Sequence, residues 1–186
     1  DNIAETCGIA RTAIQVAPDG ARLPREVEQP VSLPSPVEGG RVNVGYAGSL
    51  HEGKGMELLS DLVGRLPQCV FYVAGGTEQQ VADWSHRLAG HANVVFLGAL
   101  KHADVSGFLG QMDVLVAPYQ ATVKGHRGSA DIGQWMSPLK IFEYMAAGRP
   151  IVASDLPALR EVLNAENSVL CRHDRAGEWV SAIEWL

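Results

Sequence analysis

Two lysines, Lys54 and Lys140, each stand at the threshold of a helix-forming segment, where a cation is ordinarily unwelcome. The free N–H groups and the dipole of a helix already make its first turn positive, so a lysine there is favoured chiefly when an anion docks beside it. Lys54 closes the run Gly48-Ser49-Leu50-His51-Glu52-Gly53-Lys54-Gly55, a glycine-rich loop that follows an apolar strand-like segment and opens an amphipathic one. Glycines in such a loop let backbone N–H groups approach an anion, and the lysine completes the cradle. Lys140 belongs to a stretch whose borders are written in its residues: Ser137 suits an N-cap, Pro138 the first helical position, and Gly148 with Pro150 a stop. A helix is expected from about Pro138 to Ala147. At about 100° per residue, Leu139, Ile141, Phe142, Met145 and Ala146 fill one arc and are expected to face the core. The opposite arc, with Lys140, Glu143, Tyr144 and Ala147, is expected to be available to a ligand.

Each lysine also has a plainer reading. The first loop could be a glycine-rich turn carrying a solvated cation, and Lys140 with Glu143 could form an i,i+3 surface pair worth about 0.2–0.5 kcal/mol. Two such helix starts in one sheet make diphosphate binding the better explanation of both. The loop nearly matches the P-loop pattern G-x-x-x-x-G-K-[ST], but Gly55 occupies the place of the hydroxyl that would bind Mg²⁺, and no later strand ends in a convincing Walker B acid. A P-loop nucleotidase is disfavoured on that ground.

The elements that must position these loops alternate regularly from Val42 onward. Strands are expected at Val42–Ala47, Val70–Ala74, Val94–Leu97, Val114–Ala117, Ile151–Ala153 and Ser168–Leu170. Helices are expected near Gly55–Arg65, Glu78–Ala89, Asp104–Gln111, Pro138–Ala147, Ala158–Leu163 and Arg175–Trp185. That alternation implies an α/β fold, a Rossmann-like parallel sheet with helices on both faces, in which ligands bind beyond the carboxyl ends of the strands. Gly48–Gly55, Gly75-Gly76-Thr77 and Pro118–Ser137 all fall in strand-to-helix loops, and the last is long enough to suggest function. Residues 1–40 read as an interdomain lead-in or linker, with a short strand at Ala13–Val16 and then Pro18, Pro24, Pro30, Pro34 and Pro36; residues 41–186 read as one domain.

Composition narrows the partners. The 186 residues carry a formal net charge of −6, with 46% hydrophobic and 19% charged residues, an ordinary globular balance. Lys and Arg are scattered, so no nucleic-acid surface is expected and any basic site must be local. No apolar run approaches the length of a membrane span and no signal-like segment opens the chain, which reads as cytoplasmic. Cys7, Cys69 and Cys171 lack metal-ligand spacing, and reduced, mostly buried thiols are expected. The start at Asp1 and the unterminated apolar helix at the end read as a piece of a larger protein.

Four motifs in order resemble a known family. They are Val44-Gly45-Tyr46-Ala47-Gly48-Ser49-Leu50-His51-Glu52-Gly53-Lys54-Gly55-Met56-Glu57-Leu58-Leu59, Val94-Val95-Phe96-Leu97-Gly98, Asp113-Val114-Leu115-Val116-Ala117-Pro118-Tyr119, and the run from Ser137 through Pro150 to Val162. Together they look like the C-terminal, donor-binding domain of GT-B glycosyltransferases, nearest to the retaining "glycosyltransferases group 1" set, often called family 4. The segment from Gly8 to Ala21 is similar to that family's interdomain segment. The resemblance implies half of a two-domain GT-B architecture that moves a sugar from a nucleoside-diphosphate sugar to an acceptor, with retention. It implies that Lys54 binds the donor diphosphate within the Gly48-Ser49 loop and that Glu143 holds the ribose hydroxyls. It further implies that Ser137, Pro138, Leu139 and Lys140 present backbone to the distal phosphate and that Leu97 to Leu100 lie beside the base. Lys54 and Lys140 would be the catalytic pair, stabilising charge on the departing diphosphate with no metal and no cofactor. The partners implied are a nucleotide-sugar donor and a missing N-terminal domain that carries the acceptor site and leaves room for peripheral membrane contact.

Two departures from the family pattern matter. Ser49 stands where an arginine is common, five residues before the loop lysine, so Lys140 is expected to supply the second cation. Trp135 stands where an acid commonly touches the donor sugar, with Asp131, His126 and Arg127 in the same loop as candidate substitutes. The departures keep two alternatives open: a GT-B-fold sugar-nucleotide epimerase, and a non-catalytic GT-B-like subunit that binds a nucleotide sugar or a protein.

Overall fold

The computed structural model describes residues 2–15, 19–21, 31–34, 41–122 and 139–186. After α1 (Asn2–Cys7) come β1 (Val42–Ala47), α2 (Met56–Arg65), β2 (Cys69–Ala74), α3 (Glu78–Arg87), β3 (Val94–Gly98), α4 (His102–Leu109) and β4 (Val114–Ala117). They are followed by α5 (Leu139–Ala146), β5 (Ile151–Ser154), α6 (Pro157–Arg160), β6 (Val169–Cys171) and α7 (Ala176–Trp185). The six strands form one sheet in the order β3-β2-β1-β4-β5-β6, with every pairing parallel. Strand order reverses between β1 and β4, so the loops leaving these two neighbours diverge to opposite faces and open a crevice at the carboxyl edge.

Both faces of the sheet are covered. Val44 and Tyr46 of β1 and Phe71 and Val73 of β2 pack with Leu59 and Leu62 of α2, Trp84 of α3, and Trp179 and Ile183 of α7. The alternate residues Ala47, Val70, Tyr72 and Ala74 pack on the other face with Phe108 and Leu109 of α4, Ile141 and Tyr144 of α5, and Leu159 of α6. Burial on two sides explains why Cys69–Ala74 is apolar throughout rather than alternating: every residue of β2 is buried. The loop before α3 is fixed by a capping box in which Gln80 N–H donates to Thr77 Oγ1 and Thr77 N–H donates to Gln80 Oε1.

The expected strands and helices form, Val42–Ala47 and Val114–Ala117 with the expected bounds and the others with ends moved by at most three residues, while Pro138 lies outside the described residues. One expectation fails outright. Arg11–Ala13 makes a 3-10 turn, and residues 13–15 of the anticipated Ala13–Val16 strand pair with no strand among the described residues, while Val16 lies outside them. A second correction concerns α5. Leu139 and Met145, assigned to the core by helical periodicity, are 57% and 40% exposed, whereas Ile141 and Tyr144 are fully buried. The buried arc therefore runs through Lys140, Tyr144 and Ile141, because Tyr144 drives its hydroxyl into the gap between β1 and β4. There Ala47 N–H donates to Tyr144 Oη at 2.8 Å and the hydroxyl lies 3.3 Å from the Ala47 carbonyl.

Residues ahead of β1 are not detached from this body: Val31 and Leu33 pack on the α4–α5 side, and Tyr72 Oη donates to the Pro34 carbonyl at 3.3 Å. All three cysteines are free, Cys69 and Cys171 buried and Cys7 exposed. No helix among the described residues is long and apolar enough to cross a membrane.

Candidate functional site

The crevice between the loops after β1 and β4 collects both lysines. Lys54 lies just ahead of α2, beyond a turn that the left-handed Gly55 (φ +99°) makes possible. A Cβ on Gly55 would stand 1.9 Å from the Pro118 carbonyl oxygen, so this close approach of the two loops admits only glycine there. A second tie joins them: Gln120 N–H donates to the Gly53 carbonyl at 2.9 Å. The lysine-bearing loop is thereby clamped to the residues that follow β4.

Lys140, on the first turn of α5, reaches into the same crevice from the other side. Its Nζ is buried and has no hydrogen-bond partner among the described residues. Two tyrosine rings hold it instead, Tyr46 at 4.2 Å and Tyr119 at 4.4 Å from ring centroid to Nζ. The Lys54 Nζ lies 5.1 Å from the centroid of the same Tyr119 ring. Tyr46 belongs to the core on one face of the sheet and Tyr119 to the core on the other, so the ammonium sits where the two cores part. Gly48 passes beside it with φ +152°, and a Cβ there would come within 3.1 Å of Lys140 Nζ and 3.3 Å of Tyr46 Oη.

The electrostatics follow from this crowding. The Lys140 pKa is lowered to about 7, first by burial and then by the neighbouring Lys54, with Glu143 on the same helix pulling the other way. Burial also lowers Lys54. The hydroxyls of Tyr46, Tyr119 and Tyr144 are all pushed upward, mainly by burial, and stay neutral. A buried ammonium without a hydrogen-bonding acceptor is costly, and one beside a second ammonium more so. An anion with several acceptor oxygens would relieve both.

Of the residues singled out by sequence, Gly48, Lys54 and Lys140 are brought together. Ser49 contributes its carbonyl, which accepts from Tyr46 Oη at 2.8 Å. Glu143 is half-buried next to Lys140 on α5. Leu139 opens α5 with its side chain exposed, and Leu100 is half-buried beyond β3, at the same edge of the sheet but two strands away from β1. Ser137, Pro138, Trp135, Asp131, His126 and Arg127 lie outside the described residues. Sequence reasoning missed the two tyrosines that hold the cations. Their signal was positional: Tyr46 is the next-to-last residue of β1 and Tyr119 stands two residues past β4, flanking the reversal in strand order.

Elsewhere, a recess of about 540 Å³ opens over β6 and α7, lined by Val169, Cys171, Ala182 and Trp185 among others. Glu178 on its rim is already engaged by the Arg172 backbone N–H at 2.8 Å, and no cationic residue lines it. Among the described residues, the pairing of two lysines belongs to the crevice and not to this recess. Among the described residues no three His, Cys, Asp or Glu side chains gather to hold a metal ion.

The family described as "Glycosyl transferases group 1" matches residues 41–186. A phosphatidyl-myo-inositol mannosyltransferase of Mycolicibacterium smegmatis is 35% identical over 115 residues, which cover 59% of this chain and 26% of that protein. A putative teichuronic acid biosynthesis glycosyltransferase, TuaH of Bacillus subtilis, is 30% identical over 66 residues, covering 36% of this chain and 15% of that one. The chain thus spans about a quarter or less of the length of these relatives. In fold it resembles the lipopolysaccharide outer core galactosyltransferase WaaB in its apo form, with a TM-score of 0.66 and 17% identity over 98% of this chain and 48% of that one. It also resembles HepE of Anabaena, solved in complex with UDP-glucose, with a TM-score of 0.61 and 22% identity over 78% of this chain and 38% of that one.

Proposed function

The chain belongs to the glycosyl transferases group 1 family, and on that premise we propose that its switch-point cradle binds the diphosphate of a nucleoside-diphosphate sugar. The observation that carries this reading is the Lys140 ammonium, buried beside Lys54 with no hydrogen-bond partner among the described residues. A buried ammonium so placed suits the binding of an anion better than it suits packing. The crevice lies at the reversal of strand order, where open parallel sheets take their ligands. The UDP-glucose in the complex of the structurally similar HepE supports a nucleotide sugar as the donor.

In this reading the two ammoniums and the backbone N–H groups of the first turn of α5 bracket the diphosphate. As the bond to the sugar breaks, negative charge grows on the leaving phosphate, and groups fixed in advance stabilise it without reorganising. Glu143 accepts hydrogen bonds from the ribose diol, and the segment from Leu97 to Leu100 lies beside the base. Two cations already neutralise the leaving group, so the reaction calls on no metal. The acceptor, and any acid or base acting on it, belongs to the other half of a two-domain transferase that proceeds with retention.

Calorimetric titration of the chain with UDP, GDP and inorganic pyrophosphate, with and without EDTA, tests the reading. Binding of pyrophosphate and at least one nucleoside diphosphate is expected in both conditions. No binding of any of the three, or binding only with Mg²⁺ or Mn²⁺ present, would overturn it.

A further inference from the structure

We propose that Tyr119 is a positioning residue for the diphosphate, its ring setting the spacing of Lys54 and Lys140 before any ligand arrives. The proposal rests on the diphosphate reading above and goes beyond it by naming what organises the two cations. One ring carries both ammoniums, Lys54 at 5.1 Å and Lys140 at 4.4 Å, while Tyr46 caps Lys140 from the other core at 4.2 Å. The backbone that carries this ring is fixed in place. Tyr119 is 3% exposed, its N–H donates to the Ala117 carbonyl at 3.0 Å, and its own carbonyl accepts from the buried Ser154 Oγ at 2.6 Å. Its neighbours Pro118 and Gln120 are the residues that meet Gly55 and Gly53, on either side of Lys54. The segment that carries the ring is therefore tied to the Lys54 loop on both sides of the lysine.

The choice of a ring rather than a carboxylate has a physical reason. A carboxylate would hold an ammonium more strongly, but it would also occupy its N–H donors and repel the incoming phosphate. The face of a tyrosine attracts the cation through its quadrupole, carries no net charge and leaves the N–H groups free. Among the described residues, the groups facing Lys140 are Lys54 from the loop after β1, Glu143 from its own helix, and the neutral Tyr46 of β1 and Tyr119 of the loop after β4. Removing the Tyr119 ring takes away an attraction for the charged form, so Lys140 should lose its proton at lower pH and pyrophosphate binding should fail earlier on the alkaline side.

The test is pyrophosphate affinity of the chain from pH 6 to 9 for wild type, Tyr119→Phe and Tyr119→Leu. Tyr119→Phe keeps the ring and is expected within about threefold of wild type with the same pH midpoint, since Phe and Tyr present similar faces. Tyr119→Leu is expected to bind about tenfold more weakly and to shift the midpoint down by roughly one pH unit, the loss appropriate to a desolvated cation–ring contact. Phenylalanine with increasing numbers of ring fluorines at position 119 keeps the shape while weakening the quadrupole, and covers the case in which the leucine variant does not fold; the midpoint should fall with each fluorine. A Leu variant that binds like wild type, Phe and Leu variants that lose affinity equally, or a fluorine series with a constant midpoint would each overturn the positioning role while wild-type binding leaves the diphosphate site standing. Absence of pyrophosphate binding to wild type would overturn both.

Discussion

Replacing Lys140 by methionine should make the unliganded chain more stable, against the usual direction for a substitution at a buried position. The size of the effect follows from the site. Moving the Lys140 pKa from 10.5 to about 7 corresponds to about 4 kcal/mol at pH 7, because the unfolded chain keeps a proton that the folded chain holds only poorly. Two tyrosine faces, at 4.2 and 4.4 Å, return roughly 1–2 kcal/mol of that to the charged form. Methionine keeps the length and flexibility of the stem, so little packing is lost. The variant should therefore unfold about 2–3 kcal/mol less readily at pH 7. The sign of the pH dependence provides the sharper check. For a base whose folded pKa is depressed, the unfolded state binds more protons between about 7 and 10.5, so wild-type stability recovers as pH rises through that window, while the penalty is fully present below it. By pH 9.5 the gap between variant and wild type should shrink to about 1 kcal/mol. The three tyrosines and the buried thiols, whose raised pKa values erode stability at alkaline pH, act on both proteins and leave the difference untouched. Urea unfolding at pH 7 and 9.5 measures both numbers. A variant no more stable than wild type at pH 7, or a gap that does not narrow, would refute the picture of an unneutralised ammonium.

Three further outcomes are expected. Glu143→Ala should weaken nucleoside-diphosphate binding by about 1.5–3 kcal/mol, the range for hydrogen bonds to a charged group, while pyrophosphate, which lacks a ribose, should bind nearly as before; calorimetry with the two ligands separates the outcomes, and equal losses would remove Glu143 from the ribose role. Saturating pyrophosphate at about a hundred times its dissociation constant should stabilise wild type by roughly 2.7 kcal/mol and Lys140→Met hardly at all, read as a shift in melting temperature; equal shifts would show that Lys140 does not touch the anion. The chain alone, supplied with a nucleotide sugar and candidate acceptors, should transfer no sugar, and product detected by mass spectrometry would contradict the assignment of the acceptor to another domain.

Most of the architecture could be read from the sequence because its signals are local and mutually consistent. Runs such as Val114–Ala117 and Ile151–Ala153 are apolar and buried at every position, which a sheet buried on both faces explains, and each is followed by residues that turn the chain. The spread of strand ends has an equally local origin: Cys69, Gly98 and Ser154 extend their strands because a neighbouring strand offers hydrogen bonds there, a fact about pairing that no single strand records. Ala13–Val16 fails for the complementary reason. Its composition suits a strand, but residues 13–15 have no pairing partner among the described residues.

The site was half legible, and the illegible half has one cause. Lys54 and Lys140 announce themselves because a cation at a helix start breaks a local rule, and broken local rules concentrate where function overrides packing. Tyr46 and Tyr119 break no rule; an aromatic residue at the end of a buried strand is ordinary core. Only the strand order, which places the loops after β1 and β4 side by side although they are far apart in sequence, turns two core tyrosines into a clamp. The inversion of α5 belongs to the same cause. Helical periodicity assigns the most apolar arc to the interior, yet Leu139 and Met145 face outward so that Tyr144 can engage Ala47 at the end of β1 and Lys140 can enter the crevice. Burying one lysine and exposing two large apolar side chains is unfavourable on both counts for a helix whose only task is to cover a sheet. The chain accepts that loss on α5, the helix that follows the strand at the reversal, and a phosphate-sized anion between Lys54 and Lys140 is the partner that would recover it.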